Sequence, residues 1–350
     1  MNDIFHEDLK DVCQVSFIPW DKLRNSIILI TGATGLIGTG IVNSLFYANK
    51  EKDLNLKLIA LVRNVEKAEE RFKDILKEDA LSFIQGSVEK LPNIDGDIDY
   101  IIHGASQTAS KEFVEHAVET INTAVTGTKK MLELAKIKKV KGFVYMSSME
   151  VYGYPEKGHH VTEDEIGAFT SLNLRNSYPI SKIMCESLCC AWASEYDVPT
   201  KIIRLTQTFG PGVHQDDNRI FAYFGRCIKE KKNIVLKTAG ETERCYLYTA
   251  DAVTAILMIL LKGSKGEAYN AADESTYCSI AEMAERVAAE AGIKVEYDIQ
   301  PPSANGFPDT LYMYLDTTKL KNLGWKPIGG GKTIEVMFGR MIQMLQEKIL

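Results

Sequence analysis

Short, uninterrupted apolar runs alternate with longer stretches whose apolar positions fall three and four residues apart. Ile27–Ile30, Leu56–Val62, Leu81–Gln85, Asp99–His103, Gly142–Ser147 and Thr200–Leu205 have the length and β-branched content of buried strands. Leu36–Tyr47, Val65–Lys77, Lys111–Lys136 and Tyr178–Glu195 carry the helical period. Strand and helix in strict alternation predict right-handed βαβ crossovers and a parallel sheet covered on both faces, an α/β doubly wound fold. Before the first strand, residues 1–25 place Phe5, Val12, Phe17 and Trp20 among polar residues, the pattern of a short helix and loop packed on the main domain or at a subunit contact. The segment Met149–Asn176 reads as a loop. From Gln207 the rhythm changes: a Gly-Pro-Gly turn at Gly210–Gly212, a helix expected over Asp216–Glu230, and short segments joined by glycine turns predict a smaller second lobe.

The first strand runs into Thr31-Gly32-Ala33-Thr34-Gly35-Leu36-Ile37-Gly38, three glycines at G-x-x-G-x-x-G spacing ahead of an apolar helix. Such a turn suits a nucleotide phosphate: Gly32 permits the bend, Gly35 leaves backbone bare for a pyrophosphate, and Gly38 lets helix lie close on strand. The free N–H groups and positive end of the helix face the same point. Further on, Tyr178 and Lys182 stand four apart, on one face of a helix that Ser177 can cap and whose first turn tolerates Pro179. An ammonium beside a phenol favours phenolate and makes tyrosine a usable acid or base, although an isolated pair of this kind is otherwise an ordinary surface contact. Ser148 and Glu150 follow the fifth strand at its carboxyl end, where open α/β sheets bind ligands. Ser148 is placed to hydrogen-bond a substrate hydroxyl; Glu150 is either a second base or a helix cap. Arg244 is either a bidentate grip on a diphosphate or a surface ion pair.

Composition narrows the partners. The chain has 350 residues, 45% hydrophobic and 25% charged, enough for a large core in one domain or two. Its 41 basic and 47 acidic residues give −6 with no long run of either sign, which argues against nucleic acid and against an anionic membrane, and for small ligands. The 7 cysteines form no C-x-x-C pair and fit free thiols in a reducing compartment. With no basic-then-apolar leader at the start and no apolar run of membrane-spanning length, the expectation is a cytoplasmic protein.

TGATGLIG, SSMEVYG, YPISK, the FGPG segment and RCYLYTAD, in this order, together resemble the extended short-chain dehydrogenase/reductase family, the nucleotide-sugar epimerases, dehydratases and decarboxylases. The late stretch Tyr314–Pro327 resembles that family's C-terminal signature, and the likeness covers about residues 26–345. It implies a Rossmann-type NAD(P)-binding domain over 26–206 with about 244–262, a smaller α/β substrate-binding lobe from 207–243 and 263–350, and an N-terminal extension over 1–25. It also implies a mechanism: Tyr178, aided by Lys182 and Ser148, removes the proton of a sugar hydroxyl while hydride passes to nicotinamide, and the keto sugar then epimerises, loses water or loses CO2. Lys182 would also hold the nicotinamide ribose. By the same resemblance the turn residues Gly32, Thr34, Gly35, Leu36, Ile37 and Gly38 cradle the pyrophosphate. Ser87 and Val88 fall beside the adenine, Gly104, Ala105 and Ser106 line the cofactor, and Gln207, Arg219 and Arg244 meet the nucleotide diphosphate of the substrate. A homodimer through the helices Lys111–Lys136 and Tyr178–Glu195 is also implied.

The departures from the family pattern matter as much. Where 4,6-dehydratases carry Asp-Glu after the hydroxyl residue, this chain has Met149 and Glu150, and a thioether cannot protonate a leaving group. Gln207 replaces the usual Asn. The usual helix Asn is Ala124, with Asn122 two residues earlier, so a relay through Asn122 is not expected. At the end of the second strand Arg63 stands where an NAD enzyme places Asp or Glu, which tilts the expected cofactor to NADP over NAD. Arg63 and Met149 together make a net NADPH-dependent reductase of a nucleotide-linked keto sugar or ketose the alternative reading, with a non-catalytic dinucleotide sensor behind it. Specificity is expected in the loops Met149–Asn176, Gln207–Arg219 and Gln300–Leu311.

Overall fold

The computed structural model describes residues 3–76, 79–107, 112–299 and 309–347. Seven strands, β1 (Ile27–Thr31), β2 (Lys57–Val62), β3 (Leu81–Gln85), β4 (Tyr100–His103), β5 (Gly142–Ser148), β7 (Thr200–Leu205) and β11 (Ala268–Ala271), form one sheet in the order β11-β7-β5-β4-β1-β2-β3. Every pairing in it is parallel. Side chains alternate between two cores: Ile28 and Ile30 of β1 enter one, and Leu29 enters the other. On the first face lie the helices Leu36–Glu51 and Thr249–Lys262, the second buried along its length except at Lys262. On the other face lie Gly127–Lys138 and Ser177–Glu195, whose Cys185 and Cys189 are fully buried in the second core. Strand order reverses between β1 and β4, which leaves a crevice at their carboxyl ends.

A second sheet forms from β6 (His160–Val161), β8 (Gln207–Phe209), β10 (Glu243–Tyr248), β12 (Asp273–Ser279) and β14 (Tyr312–Leu315), in the order β12-β10-β14-β6 with β8 against β10. The short strands β9 (Ile234–Leu236) and β13 (Val295–Tyr297) pair separately. A third core, built from Met149, Val151, Tyr152, Cys245, Met313 and Leu315, fills the space behind β10 and β14. The N-terminal helix Asp3–Gln14 buries Leu9 and Val12, and its Asp8 carboxylate accepts from Tyr248 Oη at 2.6 Å and from Arg340 at 2.8 Å. Among the described residues no helix is long and apolar enough to cross a membrane.

Several expected elements differ. The stretch expected as one helix over Lys111–Lys136 is Glu112–Glu115, Ala117–Ile121, a π turn Asn122–Thr126 and Gly127–Lys138, broken where His116 leaves helical geometry. The helix expected from Asp216 starts at Ile220, because the Asp217 carboxylate accepts the Arg219 N–H at 2.9 Å and holds a turn there instead. Leu36–Glu51 runs one turn past Tyr47, and the third helix is the shorter Val65–Arg71. Strand β11, placed by sequence in the smaller lobe, is an edge strand of the large sheet. Within Met149–Asn176, two 3-10 turns, Met149–Tyr152 and Leu174–Asn176, and β6 order the loop. Lys77, Lys111, residues 300–308 of the loop Gln300–Leu311, and the terminal residues 1–2 and 348–350 lie outside the described residues.

One buried cation joins these parts. Arg204 on β7 donates from Nη2 to Glu186 at 2.7 Å, and from Nη1 to Tyr152 Oη at 2.8 Å and the Glu163 carbonyl at 2.9 Å. Glu186 also accepts from Ser147 Oγ at 2.5 Å, and Tyr152 Oη donates to Asn270 of β11 at 2.6 Å. Replacing Arg204 with Met leaves Glu186 charged and unpaired in the core. The Arg204→Met protein is therefore expected to lose about 3–5 kcal/mol in urea unfolding; a loss below about 1 kcal/mol would contradict the role given to the pair.

Candidate active site

The glycine turn sits over the crevice, and its three glycines do different work. Gly32 has φ +72°, and a Cβ there would lie 2.7 Å from the Gly104 backbone; at Gly38 it would lie 2.1 Å from the Gly32 carbonyl oxygen. Both are demanded by the fold. Gly35 has φ −73°, open to any residue, and a Cβ on it would meet only the Gly32 oxygen, at 3.3 Å. Its missing side chain leaves room in the crevice at the helix N-terminus, where the first N–H groups lack helical partners. Across the reversal point Thr31 Oγ1 accepts the amides of Gly104 and Ala105 at 3.2 and 3.1 Å and bonds His103 Nδ1 at 2.7 Å. Burial, helped by the Lys182 charge, pushes His103 down to about 3, so its imidazole is a neutral spacer between Thr31 and Thr128.

A single cleft of about 740 Å³ runs from this turn to the second sheet, and every site residue chosen from the sequence is on its wall. At its outer end Arg63, Ser87 and Val88 are joined by Glu89 and Thr123, which the sequence reading did not select. Burial opposes ionisation of Glu89, but hydrogen bonds from Thr123 and Ser87 and the Arg63 charge outweigh it and hold the carboxyl low. The π turn presents Thr123 to the cleft, whereas Asn122 is exposed and Ala124 is buried.

In the middle of the cleft the Tyr178 ring stacks on Phe113, centroids 4.3 Å apart and planes within 9°, and the Ser148 hydroxyl acts on the phenol so as to favour its ionised form. Lys182 Nζ donates to the Met146 carbonyl at 2.7 Å and lies 5.6 Å from the Tyr178 ring centre. Burial lowers Lys182 to about 8. Burial also pushes the Tyr178 phenol up, and Glu150 adds to this, against the Ser148 hydrogen bond and the charges of Arg175 and Arg219. The sequence expectation that Lys182 sits against the phenol is thus amended: the lysine is anchored on β5, and Glu150, Arg175 and Arg219 are the charges acting most on the tyrosine. Nor is Ser177 the cap; it is the first helical residue, donating to the Phe113 carbonyl at 2.8 Å and so pinning that ring. Glu150 caps no helix by its side chain: its carboxylate takes Arg175 Nη2 at 3.0 Å. Arg175 lies in the 3-10 turn Leu174–Asn176, too short for a periodic signal to mark it.

At the inner end Arg244 Nη1 donates to Gln207 Oε1 at 3.0 Å while its Nε, buried, has no partner. An unpaired guanidinium N–H at a cleft wall fits an anionic oxygen. Arg219 is steadied by a short bond from Nη2 to Asp217 and by Nε to the same carboxylate at 3.0 Å. Met149 faces the third core, with Thr206 Oγ1 3.4 Å from its sulfur.

The model of the NAD dependent epimerase/dehydratase family matches residues 28–272. Among curated proteins, dTDP-D-glucose 4,6-dehydratase of Dictyostelium discoideum is 30% identical over 71% of this chain and 59% of its own length. UDP-glucuronic acid decarboxylase 1 of Xenopus tropicalis is 26% identical over 67% of this chain and 53% of its own. The chain thus spans somewhat over half the length of these two relatives. Among solved structures, UDP-N-acetylglucosamine 4-epimerase from Methanobrevibacter ruminantium shares the fold with a TM-score of 0.78 at 19% identity, over 93% of this chain and 99% of that one.

The second and third glycines of the turn give opposed expectations. Gly35→Ala should stay close to wild-type thermal stability yet weaken dinucleotide binding roughly tenfold by calorimetry, since its Cβ makes one slightly tight contact, with the Gly32 oxygen, and otherwise occupies the cleft. Gly38→Ala should lose about 1–3 kcal/mol of stability by forcing helix from strand. Equal behaviour of the two variants would refute the division of roles.

Proposed function

This chain belongs to the NAD-dependent epimerase/dehydratase family, and from that premise we propose that it is an NAD(P)-dependent enzyme that modifies a nucleotide-diphosphate sugar through a keto intermediate. The observation that carries this reading is the convergence of Tyr178, Ser148 and Lys182 on the wall of one cleft, between the glycine turn and the Gln207–Arg244 pair. The residues fit a dinucleotide: Gly35 leaves its place open, and Arg63, Ser87, Val88, Gly104, Ala105 and Ser106 continue the wall. When bound, the nicotinamide supplies the hydride acceptor and donor. Tyr178 takes and returns the proton of the sugar hydroxyl, Ser148 orients that hydroxyl, and buried Lys182 favours phenolate and offers its remaining N–H donors to a ribose. Arg244 and Arg219 take the substrate diphosphate, with Gln207 orienting Arg244. Glu150 is the base available to the keto sugar.

A second reading is favoured by two residues. Arg63 at the end of β2 suits a 2′-phosphate, and Met149, turned into the third core, leaves no acid beside Ser148 for a departing hydroxyl. Both support a net NADPH-dependent reductase of a nucleotide-linked keto sugar or ketose. Glu89 opposes the NADP preference, since an ionised carboxylate near Arg63 repels a phosphate. For assembly we propose a homodimer, supported by the exposed apolar side chains Val114, Val118, Ile121 and Met184 on the helices lining one flank. The free cysteines support a reducing, cytoplasmic setting.

Mass spectrometry of nucleotide released on denaturation, followed by product analysis with nucleotide sugars, tests the reading. Bound NAD recycled in place should accompany epimerisation or loss of water or CO2; NADP, or an empty site with NADPH consumption, would make the reductase the better reading. Tyr178→Phe should keep dinucleotide affinity and lose about 10²–10⁴-fold in kcat. Unchanged turnover in that variant would refute Tyr178 as the proton-transfer group, and a wild-type protein that binds dinucleotide without turnover would be a sensor.

A further inference from the structure

Phe113, Arg175 and Glu150 form a chain of contacts beside Tyr178 and Ser148. Phe113 lies on the Tyr178 ring at 4.3 Å, and the Arg175 guanidinium lies over Phe113 at 4.9 Å from its centre. From there Arg175 reaches Glu150 at 3.0 Å, both side chains about a third exposed on the cleft wall. Asn173 holds the loop in place by accepting the Arg175 N–H at 3.0 Å. A carboxylate near a phenol disfavours the phenolate that proton abstraction needs, and a cation bound to that carboxylate offsets the effect.

We propose that Arg175 is a positioning residue for proton transfer: seated over Phe113 and paired with Glu150, it fixes that carboxylate on the cleft wall it shares with Tyr178 and offsets its charge there. The proposal rests on the reading of Tyr178 as the proton-transfer group. Tyr178 meets charged and titratable groups from each element around it. Lys182 comes from its own helix, Ser148, Glu150 and Tyr145 from β5 and the turn after it, Arg219 from the head of the helix Ile220–Glu230, and Arg175 from the preceding turn. The segment Glu112–Glu115 contributes only an aromatic ring to this contact. Of these, Arg219 is paired with Asp217 and Lys182 is tied to the Met146 carbonyl, so Arg175 is the cation that bears on Glu150 itself.

The test compares Arg175→Met, Glu150→Gln, the double variant and Arg175→Lys in the dinucleotide-loaded protein. The first readout needs no turnover. The protein is labelled with 3-fluorotyrosine, whose phenol titrates lower than tyrosine's, and the Tyr178 fluorine resonance, identified by its loss in Tyr178→Phe, is followed against pH. Arg175→Met should raise its midpoint by roughly half a pH unit or more, the scale expected for a partly exposed neighbouring charge. In the Glu150→Gln background the same change should move it less than half as far, and Arg175→Lys should restore most of the wild-type value. The second readout is kinetic: kcat below the limb should fall about threefold in Arg175→Met with KM within twofold of wild type, as a half-unit change in the proton-accepting group requires. A midpoint unmoved by Arg175→Met, or moved equally with and without Glu150, overturns the proposal. Turnover surviving Tyr178→Phe would instead refute the reading of Tyr178 beneath it, a separate signature that leaves the titration legible.

Discussion

The buried bond between Arg204 and Glu186 is the constraint on which the site's geometry depends. An ion pair taken out of water seldom gains much over an apolar pair of the same volume, and its value lies in how strictly it fixes what is attached to it. Four segments are attached here. Glu186 stands one helical turn beyond Lys182 and two beyond Tyr178, and it also takes the hydroxyl of Ser147, the neighbour of Ser148. Arg204 takes Tyr152, at the end of the short turn that carries Glu150, and the carbonyls of Glu163 and Glu165 in the loop beyond. Burial alone would lower the Arg204 guanidinium, yet Glu186 and Tyr152 hold it raised, so the cation persists at any pH the fold survives. The separation of Tyr178 from Ser148 is thereby set by a network with no exposed member to fray.

The same economy explains what could be read in the sequence. A parallel strand buried on both faces must be apolar throughout, so Ile27–Ile30 and Thr200–Leu205 announced themselves. Gly32 and Gly38 were legible because no other residue fits where backbone meets backbone, and Tyr178 and Lys182 because four residues is one turn of helix. The cleft residues that were missed share no such rule. Glu89 and Thr123 meet across a π turn that spacing cannot foresee, and Arg175 is brought to Glu150 by a three-residue 3-10 turn too short to show a period. Phe113 had its place fixed by a hydroxyl, Ser177, that looked like a cap. Local pattern therefore specified the scaffold and the helix-borne pair, while the charges around the pair came from tertiary contacts.

Those charges change the meaning of the tyrosine–lysine spacing. On sequence alone the lysine is the obvious means of easing ionisation of the phenol. In the fold, Lys182 spends one N–H on the Met146 carbonyl and is itself lowered to about 8 by burial, so its own charge is costly. Tyr178 is enclosed by Phe113 and its helix, and the charged residues that act most on it project from three other segments. Proton transfer on the proposed reading is thus controlled by loop residues, which differ from the helix pair in being free to vary without disturbing the sheet.

Met149 brings this to the chemistry after oxidation of the sugar. Its thioether is packed with Cys245, Met313 and Leu315 and lies beside the Thr206 hydroxyl, which donates to the Cys245 carbonyl at 2.6 Å. A carboxyl in that position would be desolvated among apolar side chains and so held protonated, the state a general acid needs; it is the thioether itself, and not its surroundings, that rules out protonating a leaving group. Glu150 is ion-paired and, like Met149, lies on the cleft wall. On the proposed reading, a base without an acid suits a keto sugar that must be reprotonated, reduced or decarboxylated more than one that must shed a hydroxyl. The chemical identity of residue 149, a thioether where a carboxyl would be held protonated, then bears, on that same reading, on which second step follows.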